Sequence, residues 1–178
     1  MIKPLQSLGI LLYFFFLALP AAAQPLLDSE SRFHPIIGAK GMVVSQEMVA
    51  SQVGASILAE GGNAIDAAVA TGFALAVTLP QAGNLGGGGF MLIYLADENR
   101  TVAIDYREMA PSAATKDMFL NAQGEVDAGK ARFSVQSSGV PGTVAGLVHV
   151  QEKYGNLSLK KVMAPAIKLA RSGIRVTV

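Results

Sequence analysis

Apolar positions fall along the chain in blocks of different period, and each block predicts an element. After a polar stretch, Gly38-Ala39-Lys40-Gly41-Met42-Val43-Val44 reads as a turn entering a short apolar strand. Ser45 is placed to cap a helix over 46–60, with Val49, Val53, Ile57 and Leu58 on one stripe and Gly61-Gly62 ending it. Asn63 is placed to cap a second helix over 64–79, which carries Asp66 in its first turn and otherwise only Ala, Val, Ile, Leu, Phe, Thr and Gly. A helix without a polar face belongs inside a protein, covered on every side.

Beyond the glycines at 86–89, the apolar runs 90–95 and 101–106 flank Asp97-Glu98-Asn99 and predict a β-hairpin. The first run is apolar on both faces, which predicts a strand central in a sheet. A short helix is expected over 114–120, a polar loop over 121–129, and a turn at 137–142 leading into a helix through Tyr154. Pro165 is expected to interrupt a last helix over 159–172. Helices around one hairpin and a leading strand make the fold class α+β.

The first residues add a separate signal. Lys3, the apolar stretch from Leu8 to Leu19 and the small residues Ala21-Ala22-Ala23 have the layout of a secretory signal peptide. The stretch is shorter than the ~20 residues that span a bilayer. The expected organisation is a signal peptide over 1–23, a leading linker over 24–40 and a structured portion over 41–178, in an exported protein without a stable membrane span after cleavage. Within 178 residues the net charge is +1, 15% of residues are charged and cysteine is absent. Such a balance gives no electrostatic footprint for nucleic acid, and no disulfide can form.

Candidate chemistry is sparse. The glycine run lacks the Lys and Ser or Thr of a phosphate loop, and a helix precedes it where a dinucleotide fingerprint has a strand. Close approach of another backbone is the plainer reading. Two histidines, His34 and His149, without cysteines or a spaced acid cluster do not make a metal site, and no G-x-S-x-G elbow is present. Arg107 stands at the end of the second strand between Asp105 and Glu108. It is placed either to grip a carboxylate in bidentate fashion or to form a structural ion pair with Asp105, Glu108 or a distant acid.

Four segments in order carry a resemblance: Gly61-Gly62-Asn63-Ala64-Ile65-Asp66-Ala67-Ala68-Val69-Ala70, Pro80-Gln81-Ala82-Gly83-Asn84-Leu85-Gly86-Gly87-Gly88-Gly89-Phe90-Met91, Asp105-Tyr106-Arg107-Glu108-Met109-Ala110-Pro111, and Gly139-Val140-Pro141-Gly142-Thr143-Val144-Ala145-Gly146. Together they resemble the large-subunit signatures of gamma-glutamyltransferases, from Pro35 onward. The resemblance implies an N-terminal-nucleophile hydrolase with an alpha-beta-beta-alpha sandwich, incomplete in this chain, made as a precursor that cleaves itself into two subunits. In that family the new N-terminal threonine of the small subunit attacks the gamma-glutamyl amide of glutathione, with its own amino group as base. The glutamyl group then passes to water or to an amino-acid acceptor. The family's carboxylate-holding arginine carries over to Arg107 as a substrate-binding residue.

None of the threonines at 71, 78, 101, 115, 143 and 177 has the Thr-Thr-His or Thr-Ser-His neighbourhood of the family nucleophile. No catalytic residue, cofactor site or metal site is therefore expected in this chain. The expected partners are glutathione or other gamma-glutamyl compounds as substrate and a small subunit supplying the nucleophile. One reading is a portion of an enzyme precursor, and the alternative is a truncated non-catalytic fragment or split subunit that needs a partner chain. With strands left unpaired, the isolated chain is expected to be poorly soluble. Two sequons, at Asn99 and Asn156, matter only in a glycosylating host.

Overall fold

The computed structural model describes residues 35–83 and 85–176. The proposed signal peptide, most of the leading linker, His34, Asn84 and Thr177 lie outside them. The chain divides between Gly38 and Ala39, and every element below belongs to the second unit, Ala39–Val178.

Helix α1, Met48–Ala59, begins one residue beyond a cap that the sequence reading missed. Glu47, not Ser45, caps it, with its carboxylate accepting from the Val49 and Ala50 N–H groups at 3.0 and 2.8 Å. Ser45 instead pairs with the Ser51 hydroxyl at 2.8 Å, bracing the approach to the helix. Burial pushes the Glu47 pKa up, but hydrogen bonds from Val49, Ala50, Thr78 and Met48 outweigh it and hold the carboxyl below its ordinary value. The helix ends as expected at the glycine pair: Gly62 N–H donates to the Ile57 carbonyl at 2.9 Å and Gly61 N–H to the Leu58 carbonyl at 3.1 Å. Gly61 has φ of 90°, in the left-handed region. Gly61→Ala is expected to cost about 1 kcal/mol in a denaturant melt, because its β-carbon meets no atom yet forces an unfavourable φ.

Helix α2, Ala64–Thr78, is the centre of the unit. Asn63 caps it as predicted, and Asp66 completes a capping box by accepting from the Asn63 N–H at 2.7 Å. Val69, Ala70 and Phe73 on α2 meet Ile57 of α1, Ile93 of the hairpin, Leu147 and Val150 of α4 (Thr143–Tyr154), and Val162 and Ala166 of α5 (Leu159–Ser172). Burial of these side chains is the main stabilising term, roughly 1.5–3 kcal/mol for each large one. The expectation that α2 is covered on all sides needs correction. Ala64 and Ala68 are exposed, and this side of α2 faces a cleft of about 820 Å³ also lined by 40–46.

The hairpin forms with the predicted bounds for its first strand. β1, Phe90–Leu95, pairs antiparallel with β2, Arg100–Asp105, in a register that sets Phe90 opposite Asp105 and Leu95 opposite Arg100. A 3₁₀ turn over Ala96–Glu98 and Asn99 at φ of 46° close it. Met91, Ile93, Leu95 and Ile104 face the helices, whereas Phe90, Leu92 and Tyr94 point the other way and are 67%, 76% and 62% exposed. β1 is thus not central: among the described residues the sheet has two strands, and helices cover only one of its faces. Its two-sided apolar pattern suits a sheet with a second covering layer. The stretch at 41–44 makes no ladder either, since a strand exists only with a partner to bond.

Two further expectations differ from the structure. The residues at 114–120 form consecutive hydrogen-bonded turns, with Ala114 donating to Pro111, Met118 to Thr115 and Leu120 to Asp117. Too few apolar side chains there reach the core to support a helix, and a six-residue helix α3 forms later, at Ala128–Phe133, capped by Asp127. Nor does Pro165 break α5, which runs through it from Leu159 to Ser172. A mid-helix proline costs about 3 kcal/mol, and burial of Val162 and Ala166 on either side offsets it. Among the described residues no helix is long and apolar enough to cross a membrane.

Candidate substrate site around Arg107

Three segments far apart in sequence meet where β2 ends. Tyr106 N–H donates to the Gly89 carbonyl at 3.0 Å, extending the ladder beyond the strands. Met109 and Val140 exchange both backbone hydrogen bonds, at 3.1 and 2.8 Å, and the N–H groups of Gly142 and Thr143 both donate to the Gly87 carbonyl, at 2.9 and 3.0 Å. The glycine run therefore serves close backbone approach. A β-carbon on Gly88 would lie 2.6 Å from the Glu108 nitrogen and 2.7 Å from the Tyr106 oxygen. Close packing at Gly88 and the bonds of Gly87 and Gly89 account for these glycines without a phosphate.

Arg107 emerges from this junction one residue past the ladder. It is exposed, and β2 itself is half-exposed. Among the described residues its guanidinium forms no ion pair; the Asp105 carboxylate instead accepts the Arg107 backbone N–H at 3.0 Å. That bond turns the chain and leaves the guanidinium available to a ligand. Arg107 lines a cavity of about 340 Å³ with Asp105, Met109, Val140, Pro141 and His149. The neighbouring Tyr106 is partly buried, and desolvation pushes its phenol pKa up, so it is neutral at ordinary pH.

His149 lies on α4 as the sequence placed it. Among the described residues no cluster of three or more His, Asp or Glu side chains is arranged to hold a metal ion. Sequence reasoning placed Asp66 only in the first turn of α2. In the structure its carboxylate, 0% exposed, accepts four hydrogen bonds: from the Gln151 side-chain amide at 2.6 Å, Asn63 N–H at 2.7 Å, and the N–H groups of Asn156 and Leu157 at 3.1 Å each. The Asn63 side chain donates to the Tyr154 carbonyl at 2.7 Å beside it. The first signature segment is thus a clamp joining α2 to the turn between α4 and α5, which fixes α4 and so the wall of the Arg107 cavity.

The gamma-glutamyltranspeptidase family model matches residues 50–178. The glutathione hydrolase proenzyme of Escherichia coli is 59% identical over 147 residues, covering 83% of this chain and 25% of its own. That of Bacillus subtilis is 45% identical over 141 residues, covering 79% of this chain and 24% of its own. The crystal structure of Helicobacter pylori gamma-glutamyltranspeptidase superposes with a TM-score of 0.76 at 51% identity, over 79% of this chain and 40% of that one. The chain spans about a quarter of the length of these curated relatives. Its α+β arrangement is a part of the N-terminal-nucleophile hydrolase sandwich, and the chain belongs to the gamma-glutamyltranspeptidase family.

Proposed function

We propose that this chain is the substrate-holding portion of a gamma-glutamyltransferase and glutathione hydrolase precursor. Arg107 binds the α-carboxylate of the gamma-glutamyl group of glutathione or a related compound. The observation that supports the reading is the junction of three signature segments, which sets Arg107 at the wall of a cavity with no ion pair among the described residues. A guanidinium fork matches a carboxylate in geometry and charge, and it orients the γ-amide relative to the group that attacks it. The attacking threonine belongs to the small subunit of the cleaved precursor. Its hydroxyl adds to the γ-carbonyl, its amino group takes the proton, and the amine leaves to give a glutamyl ester that water or an amino acid then opens. We further propose a signal peptide over 1–23, a linker over 24–40 and export to the periplasm or the extracellular space.

The test is release of 4-nitroaniline from gamma-glutamyl-4-nitroanilide by this chain alone and by a full-length, self-cleaved precursor that contains it. Activity from the cleaved precursor alone is expected. Activity from this chain alone would overturn the assignment of the nucleophile. No activity from a precursor shown to be folded and cleaved would favour the alternative of a non-catalytic protein.

A further inference from the structure

Tyr106 is the residue on which Arg107 turns, and α4 is shaped around it. Its ring lies against Gly146, where a β-carbon would overlap the Tyr106 β- and γ-carbons and stand 2.8 Å from Cδ1. One turn earlier, a β-carbon on Gly142 would overlap the Tyr106 carbonyl oxygen and stand 2.7 Å from its carbon and 3.1 Å from the Arg107 oxygen. At Gly142 the added methyl meets backbone, and at Gly146 it meets the Tyr106 side chain at its root, the β-carbon, which no side-chain rotation moves aside. Nor can the peptide retreat, because Tyr106 is bonded to Gly89 on the far side and Met109 is bonded to Val140 beyond Arg107. A methyl at either glycine must therefore rotate the 106–107 backbone or push α4 away. Either movement is amplified along the arginine side chain to a displacement on the order of 1 Å at the guanidinium, enough to spoil a bidentate grip.

We propose that Gly142 and Gly146 are positioning residues for Arg107, so that α4 sets the selectivity for γ-linked substrates bearing a free α-carboxylate. This rests on the reading of Arg107 as the carboxylate-holding group. Two anilides separate the possibilities in the enzyme assembled from a full-length, self-cleaved precursor that contains this chain: the gamma-glutamyl anilide, and the 4-aminobutanoyl anilide, which lacks the α-carboxylate. Gly146→Ala is expected to raise KM for the gamma-glutamyl anilide about tenfold with kcat within about twofold. It is also expected to lower the preference for that anilide over the carboxylate-free one by about tenfold. If Gly146→Ala does not assemble, Gly142→Ala with the same two substrates takes its place, and Tyr106→Ala alone, which removes the ring from its seat on Gly146, must lower the preference.

An equal loss with both anilides would overturn the proposal, as a merely structural role requires. So would an unchanged preference in folded Gly146→Ala while Arg107→Ala removes it. A preference that survives Arg107→Ala would instead sink the reading of Arg107 on which the proposal rests.

Discussion

Asp66→Ala lowers the stability of the chain by at least about 3 kcal/mol, the largest loss expected from any single side chain here. The carboxylate is wholly buried and serves four donors: the Gln151 amide and the backbone N–H groups of Asn63, Asn156 and Leu157. Removing it strands those donors, each worth about 1–3 kcal/mol if it stays buried, and frees the turn between α4 and α5 from the start of α2. Asp66→Asn keeps the shape but turns one oxygen into a donor facing donors, and it should recover less than half of the loss. Thermal or urea melts of the folded protein measure both. A shift for Asp66→Ala under about 3 °C would show that the clamp is dispensable, against about 10 °C expected.

The same site sets an acid limit. Burial alone pushes the Asp66 pKa up, but the bonds from Gln151, Asn63, Leu157 and Asn156 outweigh it, and the folded-state value lies below the ordinary one. A carboxyl depressed on folding contributes its full stabilisation above its unfolded pKa and loses it as pH falls through the folded one. Glu47 at the start of α1 shifts in the same direction. Stability is therefore expected to be flat from about pH 7 to 5 and to fall below about pH 4, and the Asp66→Asn variant should show a shallower fall.

Arg107→Ala is expected to raise KM for a gamma-glutamyl anilide about thirtyfold in the assembled enzyme, as loss of a charge-assisted bidentate contact worth about 2 kcal/mol implies. Its guanidinium is exposed and makes no ion pair among the described residues, so the melting temperature should stay within about 2 °C. Arg107→Lys keeps the charge but not the fork and should recover only part of the affinity. A large loss of stability with unchanged KM would make Arg107 a structural residue.

Local signals in the sequence were read well where the structure is local. The Asn63 cap, the Gly61-Gly62 stop and the bounds of β1 each depend on a few adjacent residues, and each was legible. Failures came where a distant partner decides. Ser45 and Glu47 are both able caps, and the choice between them depended on Ser51 taking the serine. The stretch at 41–44 and the two-sided β1 are written for sheet partners and a covering layer absent among the described residues. Pro165 stays inside a helix because the core holds its neighbours. At the candidate site, the motif pointed to Arg107, but that the Asp105 carboxylate binds the Arg107 backbone N–H and not its guanidinium was legible only in the structure. The seat of Tyr106 on Gly146 was hidden because nothing in the spacing of residues 106 and 146 announces contact.

The Asp66 clamp also sets an order of events on the ribosome. Its partners Gln151, Asn156 and Leu157 lie 85, 90 and 91 residues downstream. At a synthesis rate of ~5–20 residues per second they follow Asp66 by roughly 5 to 20 s. During that interval α2 has its local cap but neither its clamp nor the helices that cover it. Its stretch of Ala, Val, Ile, Leu and Phe is then bare apolar surface on a nascent chain, the kind of segment that holding chaperones engage.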